Sequence, residues 1–351
     1  MEAIMSDEHV LIAGASGVVG LAAVQACQAA GWEVSTLGRA ARGPAGVRHL
    51  QADLAEPASL EVHARDLKRV SHLFYAALQP DPDPGAEADL NAAMLEHLVK
   101  ALLQAGASLQ RLIFIQGGKV YGAHLGVYKT PAREDDSRHF PPNLYFRHED
   151  FARSLEREGI RWTALRPDIV IGHSLGSAMN LGHLIGVYGS LCKATGTAMQ
   201  FPGPAAAYRD VLVNITGAEV LGEAAVWAVE TGADGAFNIT NGDVFRWAHV
   251  WPKLADWFGL DIGEPQPISL DQRLRALASQ WRSLAVRHAL VEPDLHRLGP
   301  GGFGDFIFHV QTDAIFDVTK ARQAGFQGMV RRSDEVLLAH LDAMRRRRLI
   351  P

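Results

Sequence analysis

The chain has 351 residues, of which 48% are hydrophobic and 21% charged, a composition typical of a globular protein with a buried core. Its formal net charge of −5 excludes a general attraction to nucleic acid or to anionic membranes. The two cysteines, Cys27 and Cys192, exclude a disulfide framework and a zinc site made of cysteines alone.

The termini carry no targeting signal that we recognise. The first ten residues, MEAIMSDEHV, lack the basic and apolar regions of a signal peptide, and no run of about 18 apolar residues predicts a membrane helix. Arg345–Arg348 near the end is interpreted as a solvated helix end rather than a nucleic-acid patch. We therefore expect a cytoplasmic protein without nucleic-acid or membrane partners.

The first half of the chain alternates short apolar runs with longer amphipathic ones. This alternation predicts an α/β fold of the Rossmann type, with a doubly wound parallel sheet whose ligand lies beyond the carboxyl ends of the strands. The predicted strands are His9–Ala13, Glu33–Leu37, Val47–Ala52, His72–Ala77, Arg111–Gln116 and Arg161–Leu165, and the predicted helices are Val18–Ala30, Ala86–Ala105 and Asn143–Arg157.

The pattern becomes less regular after residue 170. Tyr208–Glu230 is predicted as a loop and helix, and Gly235–Thr240 as a strand that returns to the sheet. Helices are predicted at Trp247–Phe258, Leu270–Val286 and Ser333–Arg347. We therefore predict a nucleotide-binding domain over 1–170, with a returning segment near 211–242, and a mainly helical, substrate-binding cap over 171–210 and 243–351.

Three glycines, Gly14, Gly17 and Gly20, follow the first predicted strand and open the next helix. In a dinucleotide-binding fold, such glycines allow a sharp turn, a close approach of the pyrophosphate, and tight packing of helix on strand. The helix N-terminus then offers free N–H groups to the phosphates. The GxxGxxG spacing resembles the extended short-chain dehydrogenase/reductase superfamily.

The second predicted strand bears on the choice of cofactor. It ends in Leu37-Gly38-Arg39 without the acid that NAD-binding versions use for the ribose, while Glu33 stands at its start. Arg39, with nearby Arg42, can instead face a 2′-phosphate, which predicts NADPH; the alternative is that both arginines only solvate a loop. Asp53 after the third strand can bond the adenine, cap the helix that follows, or do both.

The usual carbonyl-reducing residues of this superfamily are absent. None of the six tyrosines is followed by lysine at the fourth position, and Tyr145 is followed there by Glu149. The usual serine position falls on Gly117, and a lysine, Lys119, appears on the same segment. The carbonyl-activating residues have therefore been lost or rearranged.

Several ordered motifs resemble one family, the progesterone 5β-reductase/iridoid synthase-like (PRISE) enzymes. The resemblance covers nearly the whole chain and rests on the following segments: Gly118-Lys119-Val120-Tyr121, Asn143-Leu144-Tyr145-Phe146 with Glu149-Asp150, Arg166-Pro167 with Ser177-Ala178-Met179-Asn180, and Phe237 to Trp247 (FNITNGDVFRW).

The resemblance implies NADPH-dependent 1,4-reduction of an activated alkene in a small apolar enone or enal. Hydride would go to the β-carbon, and charge would develop on the carbonyl oxygen as an enolate. Tyr145 would donate a hydrogen bond to that oxygen and Lys119 would supply positive charge, together forming an oxyanion hole of side chains. The resemblance also suggests a homodimer.

The remaining predicted cofactor contacts flank these motifs. They are Ser16, Val18, Leu54, Ala77, Gln116, Val170, Ser177, Ala178 and Met179, beside Gly14, Gly17, Gly20, Arg39, Asp53 and Tyr145. No metal site is expected, because the 15 histidines show no HExxH-like spacing. Two other functions stay open: a carbonyl reductase or sugar-nucleotide epimerase/dehydratase of the same superfamily, and a non-catalytic NADP(H)-binding protein.

Overall fold

The computed structural model describes residues 8–177, 179–299 and 301–351. The chain divides into two compact units, each made of three stretches. The first unit runs to Asp168 and adds Ala218–Ile239 and Asp317–Gly328. The second comprises Ile169–Gly217, Thr240–Phe316 and Met329–Pro351. None of the described helices is long and apolar enough to span a membrane.

The first unit is built on a seven-stranded sheet with the order β3-β2-β1-β4-β5-β6-β9, and every neighbouring pair in it is parallel. The predicted doubly wound α/β fold is thereby confirmed. Its strands are β1 His9–Ala13, β2 Glu33–Gly38, β3 Arg48–Gln51, β4 His72–Tyr75, β5 Arg111–Ile115, β6 Arg161–Pro167 and β9 Gly235–Ile239. Its helices are α1 Val18–Ala29, α2 Ala58–Glu61, α3 Ala64–Leu67, α4 Pro84–Gln104, α5 Leu144–Leu155, α8 Ala218–Thr231 and α14 Thr319–Gln323, with short 3-10 turns at Gly118–Tyr121 and Glu156–Glu158.

The second unit is mainly helical, as the sequence predicts, and contains one short parallel strand pair. Its strands are β7 Ile169–Ile171 and β8 Ile215–Gly217. Its helices are α6 Leu181–Thr195, α7 Ala205–Arg209, α9 Trp247–Phe258, α10 Leu270–Ala276, α11 Ala278–Arg287, α12 Leu295–Leu298, α13 Gly301–Phe308 and α15 Ser333–Arg346.

The core of each unit follows from the burial of its apolar faces. In the first unit, Leu11, Leu73 and Phe114 of the central strands are fully buried, which fits a parallel sheet covered on both faces. In the second unit, Trp247 and Trp251 of α9 are fully buried among other aromatic rings. Each unit therefore has a hydrophobic cluster of its own.

The returning segment of the first unit differs from the predicted 211–242. It begins at Ala218, because β8 pairs with β7 and so belongs to the second unit. It ends at Ile239, the last residue of β9, which pairs with β6 at the sheet edge as the sequence predicts. The stretch Asp317–Gly328, predicted as cap, joins the first unit because α14 packs on β9 and the Lys320 ammonium donates to the Ala236 carbonyl at 2.7 Å.

Two helices of the second unit differ from the prediction. The single helix predicted over Leu270–Val286 is wrong, because Leu277 leaves the helical region at φ −97° and ψ 9° and separates α10 from α11. Helix α6 was not predicted. Its glycines at 182, 186 and 189 lower helix propensity, yet a Cβ at these positions would come within 3 Å of the side chains of His340, Met344 and Phe258. Close packing thus outweighs propensity in α6.

Candidate functional site

The turn from β1 into α1 has the backbone geometry that the glycine spacing predicts. Gly14 has φ +84°, and a Cβ there would lie 2.7 Å from the backbone of Ala76 and Ala77. A Cβ on Gly20 would lie 2.3 Å from the Gly14 carbonyl oxygen. Gly17 begins α1 without a side-chain cap, and the first turn of α1 carries no acidic residue. This end of the helix therefore suits an anion such as a pyrophosphate.

Arg39 lies just beyond β2, at the edge of the sheet that the glycine turn also occupies. Its side chain is exposed, and its guanidinium donates to the Gln79 side chain at 3.3 Å. Glu33, at the opposite end of the strand, pairs with Arg69 at 2.6 Å and cannot serve the ribose at this edge. An arginine rather than an acid thus stands at the carboxyl end of β2, and Arg42 nearby is also exposed.

Asp53 follows β3 and starts a tight turn. Its carboxylate accepts from the Ala55 N–H at 3.0 Å, and its backbone is held on both sides by the Ser59 hydroxyl. The predicted role of Asp53 as a helix cap is wrong, because Pro57 occupies the N-cap of α2. Asp53 stabilises the turn that precedes α2, and its side chain is partly exposed.

Tyr145 lies in the first turn of α5, and the helix cap determines its position. The Asn143 side chain accepts from the Tyr145 N–H at 2.8 Å and donates to the Lys119 carbonyl at 2.8 Å. One carboxamide therefore joins the first turn of α5 to the 3-10 turn that carries Lys119. Burial, and then the negative charge of Glu87, raise the pKa of the Tyr145 phenol to about 12. The phenol is a neutral donor at physiological pH.

The Lys119 ammonium pairs with a residue that the sequence did not single out. It donates to the Glu87 carboxylate at 3.1 Å, and Glu87 lies in the first turn of α4 with only 9% of its surface exposed. Among the described residues, no hydrogen bond joins the Lys119 ammonium to the Tyr145 hydroxyl. The sequence did contain a signal for Glu87, because it is an acid in the first turn of the long helix that follows β4. In a parallel sheet the segments after the strands meet at one edge, so this acid was a candidate for the site.

Gly117 faces the phenol from the end of β5. A Cβ on Gly117 would lie 3.5 Å from the Tyr145 hydroxyl oxygen and 3.7 Å from the Pro167 carbonyl oxygen. The position where relatives of the superfamily carry serine therefore does point at Tyr145, but in this chain it supplies no hydroxyl. A methyl group at this position would fit beside the phenol in ordinary van der Waals contact.

A buried arginine, Arg166, forms hydrogen bonds with the side chains that support α5 and the Tyr121 segment. Arg166 of β6 donates to the side chains of Gln116 at 2.6 Å, Glu149 at 2.9 Å and Tyr121 at 3.2 Å. Gln116 in turn donates to the Tyr145 carbonyl at 3.0 Å, so its side chain positions α5.

Glu149 occupies the position where a YxxxK motif would place lysine. Burial opposes its ionisation, but the hydrogen bond from Arg153 and the charges of Arg166 and Arg138 lower its pKa on balance. Glu149 is an ionised structural partner. The neighbouring Asp150 pairs with Arg138 at 2.7 Å. Neither residue is suited to general acid–base work.

The other predicted cofactor contacts divide between the two units. In the first unit, Ser16 is exposed, Val18 and Leu54 are buried, and Ala77 lies against Gly14. Val170 of β7, Ser177 and Met179 belong to the second unit, where Met179 is exposed. Ala178 lies outside the described residues. The structure thus brings Tyr145, Gly117, Gln116 and the Lys119 turn together at one edge of the sheet.

Comparison with known proteins decides the family. The model of the PRISE-like Rossmann-fold domain matches residues 45–351. This chain belongs to that family. Among its relatives, an (S)-8-oxocitronellyl enol synthase from Camptotheca acuminata is 27% identical over 97% of this chain and 93% of its own length. A 3-oxo-Δ4,5-steroid 5β-reductase from Arabidopsis thaliana is 25% identical over 97% and 92%.

Solved structures with the same fold are more distant in sequence. The UDP-glucose 4-epimerase of Thermus thermophilus, in complex with NAD, is 18% identical and has a TM-score of 0.67, with 96% of this chain and 99% of that chain covered. The UDP-glucose 4-epimerase of Thermotoga maritima is also 18% identical, with a TM-score of 0.68. At this identity the likeness shows the fold, and the PRISE relatives carry the argument about chemistry.

Proposed function

We propose that this protein is an NADPH-dependent oxidoreductase that reduces the carbon–carbon double bond of a small or medium apolar enone or enal. The observation that carries the proposal is the half-buried Tyr145 phenol at the carboxyl edge of the sheet, which is neutral at physiological pH and faces Gly117 instead of a serine. The names of the relatives, an enol synthase and a steroid 5β-reductase, support the same reaction class.

The cofactor assignment rests on two features of the first unit. The uncapped start of α1 offers free N–H groups to a pyrophosphate, and the turn that positions it has no room for a Cβ at Gly14 or Gly20, which would collide with the neighbouring backbone. Arg39 offers a guanidinium fork to a 2′-phosphate, while no acid stands at the carboxyl end of β2. These residues fit NADPH better than NADH, and when bound the nicotinamide supplies a hydride.

The residues of the chain would act on the substrate oxygen. As the β-carbon gains hydride, the electron pair of the double bond moves towards the carbonyl and negative charge grows on its oxygen. Tyr145 donates a hydrogen bond to that oxygen. The Lys119 ammonium, which pairs with Glu87, offsets the negative charge on the oxygen when it also faces the site. The α-carbon then takes a proton from solvent, which gives the saturated carbonyl.

The same geometry argues against carbonyl reduction or sugar epimerisation. Those reactions in this superfamily use a serine and a lysine that adjust the acidity of the tyrosine. Here Gly117 supplies no hydroxyl, and Glu149 at the fourth position after Tyr145 is ionised and held by Arg166. The Tyr145 pKa is raised rather than lowered. The phenol therefore stays protonated and is suited to stabilise negative charge on a substrate oxygen by a hydrogen bond rather than to transfer its proton.

The test is oxidation of NADPH with a cyclic enone and with an aliphatic enal, followed by product analysis. We expect the saturated ketone or aldehyde. Tyr145→Phe removes one oxyanion donor, which costs roughly 3–4 kcal/mol or a 100- to 1000-fold loss of kcat. Lys119→Met should also lower kcat. Tyr188→Phe, whose hydroxyl bonds the Gln200 carbonyl in the second unit, is the matched control and should retain full kcat.

Three results would contradict the proposal. An allylic alcohol with the double bond intact would indicate carbonyl reduction. Full activity of both Tyr145→Phe and Lys119→Met would reject their roles. Binding of NADPH without turnover of any enone or enal would favour a non-catalytic NADP(H)-binding protein.

A further inference from the structure

Three histidines of the second unit converge although they are distant in sequence. His173 follows β7, His183 lies in the first turn of α6, and His340 lies on α15. One ring nitrogen of each lies within 4.8 Å of the others, and no other such group of three is found among the described residues. The ring centroids are 4.5 Å apart for His173 and His340, 5.3 Å for His183 and His340, and 5.9 Å for His173 and His183.

Each ring presents a buried nitrogen that has no hydrogen-bond partner among the described residues. These atoms are Nδ1 of His173, Nε2 of His183 and Nε2 of His340. Leaving a buried polar atom unpaired costs about 1–3 kcal/mol, so three in one place call for a ligand. His183 is fully buried and His340 is 5% exposed, so bulk water does not solvate these two rings freely.

The second nitrogen of His183 is already fixed. Its Nδ1 donates to the Leu298 carbonyl at 3.1 Å, which leaves the lone pair on Nε2. Metal-binding histidines commonly have this arrangement, because the bond to a carbonyl sets the tautomer and the ring orientation. His183 therefore already has the tautomer that a metal ligand needs, with its lone pair on the buried Nε2.

The backbone around the cluster is adapted to it. A Cβ on Gly182 would lie 2.6 Å from the His340 ring, so only glycine leaves room for that ring beside α6. Asn180 accepts from the His183 N–H at 3.1 Å and donates to the Gly172 carbonyl at 3.1 Å. This side chain ties the residue before His173 to the start of α6, which holds the two histidines near each other.

The charge state of the rings also suits a metal. Burial lowers the pKa of His173 and of His183 to about 4 and lowers that of His340 well below its usual value, with smaller contributions from the charge of Arg347 and neighbouring rings. At pH 7 the three imidazoles are neutral, which is the form that binds metal ions. The arginine charges disfavour a bare dication, and a hydroxide or other anion as fourth ligand would offset them.

We propose that His173, His183 and His340 bind a zinc-like transition-metal dication, with a water or an anion in the fourth position. Three imidazoles are a ligand set that zinc accepts, at Zn–N distances of about 2.0–2.1 Å in a tetrahedron. The ring nitrogens, which lie within 4.8 Å of one another, have to approach by up to about 1.5 Å, since tetrahedral ligand nitrogens lie about 3.3 Å apart. The rings of His173 and His183, stacked on His340 at 21° and 29°, also have to turn towards the ion. The ion would fasten the segment after β7 to α6 and α15, and this role is independent of the reaction proposed above.

The sequence alone does not reveal this site, because nine residues separate His173 from His183 and His340 follows far along the chain. Its expectation of no metal rested on the absence of a short motif such as HExxH. The structure brings the three rings together through the packing of α15 on α6 and β7.

The experiment is a titration of the full, tag-free chain with Co²⁺ after treatment with chelator. We expect visible d–d absorption of four-coordinate intensity that saturates at one Co²⁺ per chain and disappears on addition of one equivalent of Zn²⁺. Zn²⁺ should also raise the unfolding temperature. His183→Gln and His340→Gln should each weaken Co²⁺ affinity at least tenfold and abolish the thermal shift. His288→Gln, which alters an exposed histidine on the same unit, should behave as wild type.

If a buried variant fails to fold, His173→Gln carries the same comparison, because His173 is the partly exposed member. Circular dichroism of each metal-free variant identifies the folded ones. Absence of the Co²⁺ spectrum in the folded wild-type chain would overturn the proposal. Equal affinity in wild type and in the folded histidine variants would overturn it as well, since the metal would then bind elsewhere.

Discussion

At the scale of single residues, the site depends on which charge lies next to which donor. Burial, and then the charge of Glu87, raise the pKa of Tyr145, and the same Glu87 carboxylate accepts a hydrogen bond from the Lys119 ammonium. This differs from the arrangement in which a lysine lowers the pKa of a catalytic tyrosine. The sequence could identify Tyr145 and Lys119 by resemblance, but not Glu87, whose role depends on the packing of α4 beside the Lys119 turn.

Glu87→Gln should lower the pKa of Tyr145 from its value of about 12, because the negative charge that disfavours tyrosinate is removed. The measurement is a ¹³C-tyrosine NMR titration, with the Tyr145 signal assigned by its absence in Tyr145→Phe. Asp89→Asn, an exposed acid on the same helix, is the control and should leave that signal in place. An unchanged Tyr145 titration in Glu87→Gln would show that the carboxylate does not act on the phenol.

Two glycines offer a matched pair of substitutions. Gly20→Ala should destabilise the protein by about 1–3 kcal/mol and weaken NADPH binding, because its Cβ would lie 2.3 Å from the Gly14 carbonyl oxygen. Gly117→Ala should change the free energy of unfolding by no more than about 0.5 kcal/mol, since its nearest contact would be 3.5 Å. Urea unfolding and NADPH titration measure both effects. Equal stability of the two variants would contradict the tight turn.

At the scale of elements, the sequence predicts some helices and strands at their observed bounds and misses others. Strong periodicity placed β1 and α9 at their observed bounds, and Asn143 was predicted to begin its helix. The prediction failed for α6, where glycines conceal a helix that exists because α15 packs closely on it. It also failed at Leu277, where a kink interrupts an otherwise continuous helical pattern. The failure at α6 comes from tertiary contacts, which a single sequence does not display.

Asn143→Ala should destabilise the protein by about 1 kcal/mol, because α5 loses its N-cap. It should also lower kcat, because the same side chain links the Tyr145 turn to the Lys119 carbonyl. Ser269→Ala, which removes the N-cap of α10 in the second unit, is the control and should cost similar stability with kcat unchanged. Thermal unfolding and steady-state kinetics separate the two effects. If both variants lose kcat equally, the link through Asn143 has no special role.

At the scale of the whole molecule, buried neutral histidines couple stability to pH. Burial lowers the pKa of His148, His173 and His183 to about 4, and it lowers the pKa of His340 well below its usual value. In the unfolded chain these rings titrate near 6.5. Between about pH 6.5 and pH 4 the unfolded chain therefore binds protons that the folded chain does not bind. The free energy of unfolding should therefore decrease as the pH falls from about 6.5 towards 4. The sequence shows the histidines but not which of them the fold buries.

His148→Leu should make this acid sensitivity smaller. His148 is 2% exposed, packs edge-on against Tyr75, and accounts for up to about 3 kcal/mol of the loss across that range. Urea unfolding of metal-free protein between pH 8 and pH 4.5 gives the slope. His288→Leu, which changes an exposed ring, should retain the wild-type slope. If the free energy of unfolding of His148→Leu decreases as steeply at low pH as that of the wild type, other groups cause the acid sensitivity.

The interleaving of the two units limits how the protein can be dissected. The chain passes from one unit to the other five times, because each unit is assembled from three stretches. A fragment ending at Asp168 would lack β9, which pairs with β6, and α8, which covers α1. Its sheet would carry an unprotected hydrogen-bonding edge, a surface prone to aggregation. No single cut in the gene therefore separates the two units, and a shuffled or fused version has to transfer the whole chain.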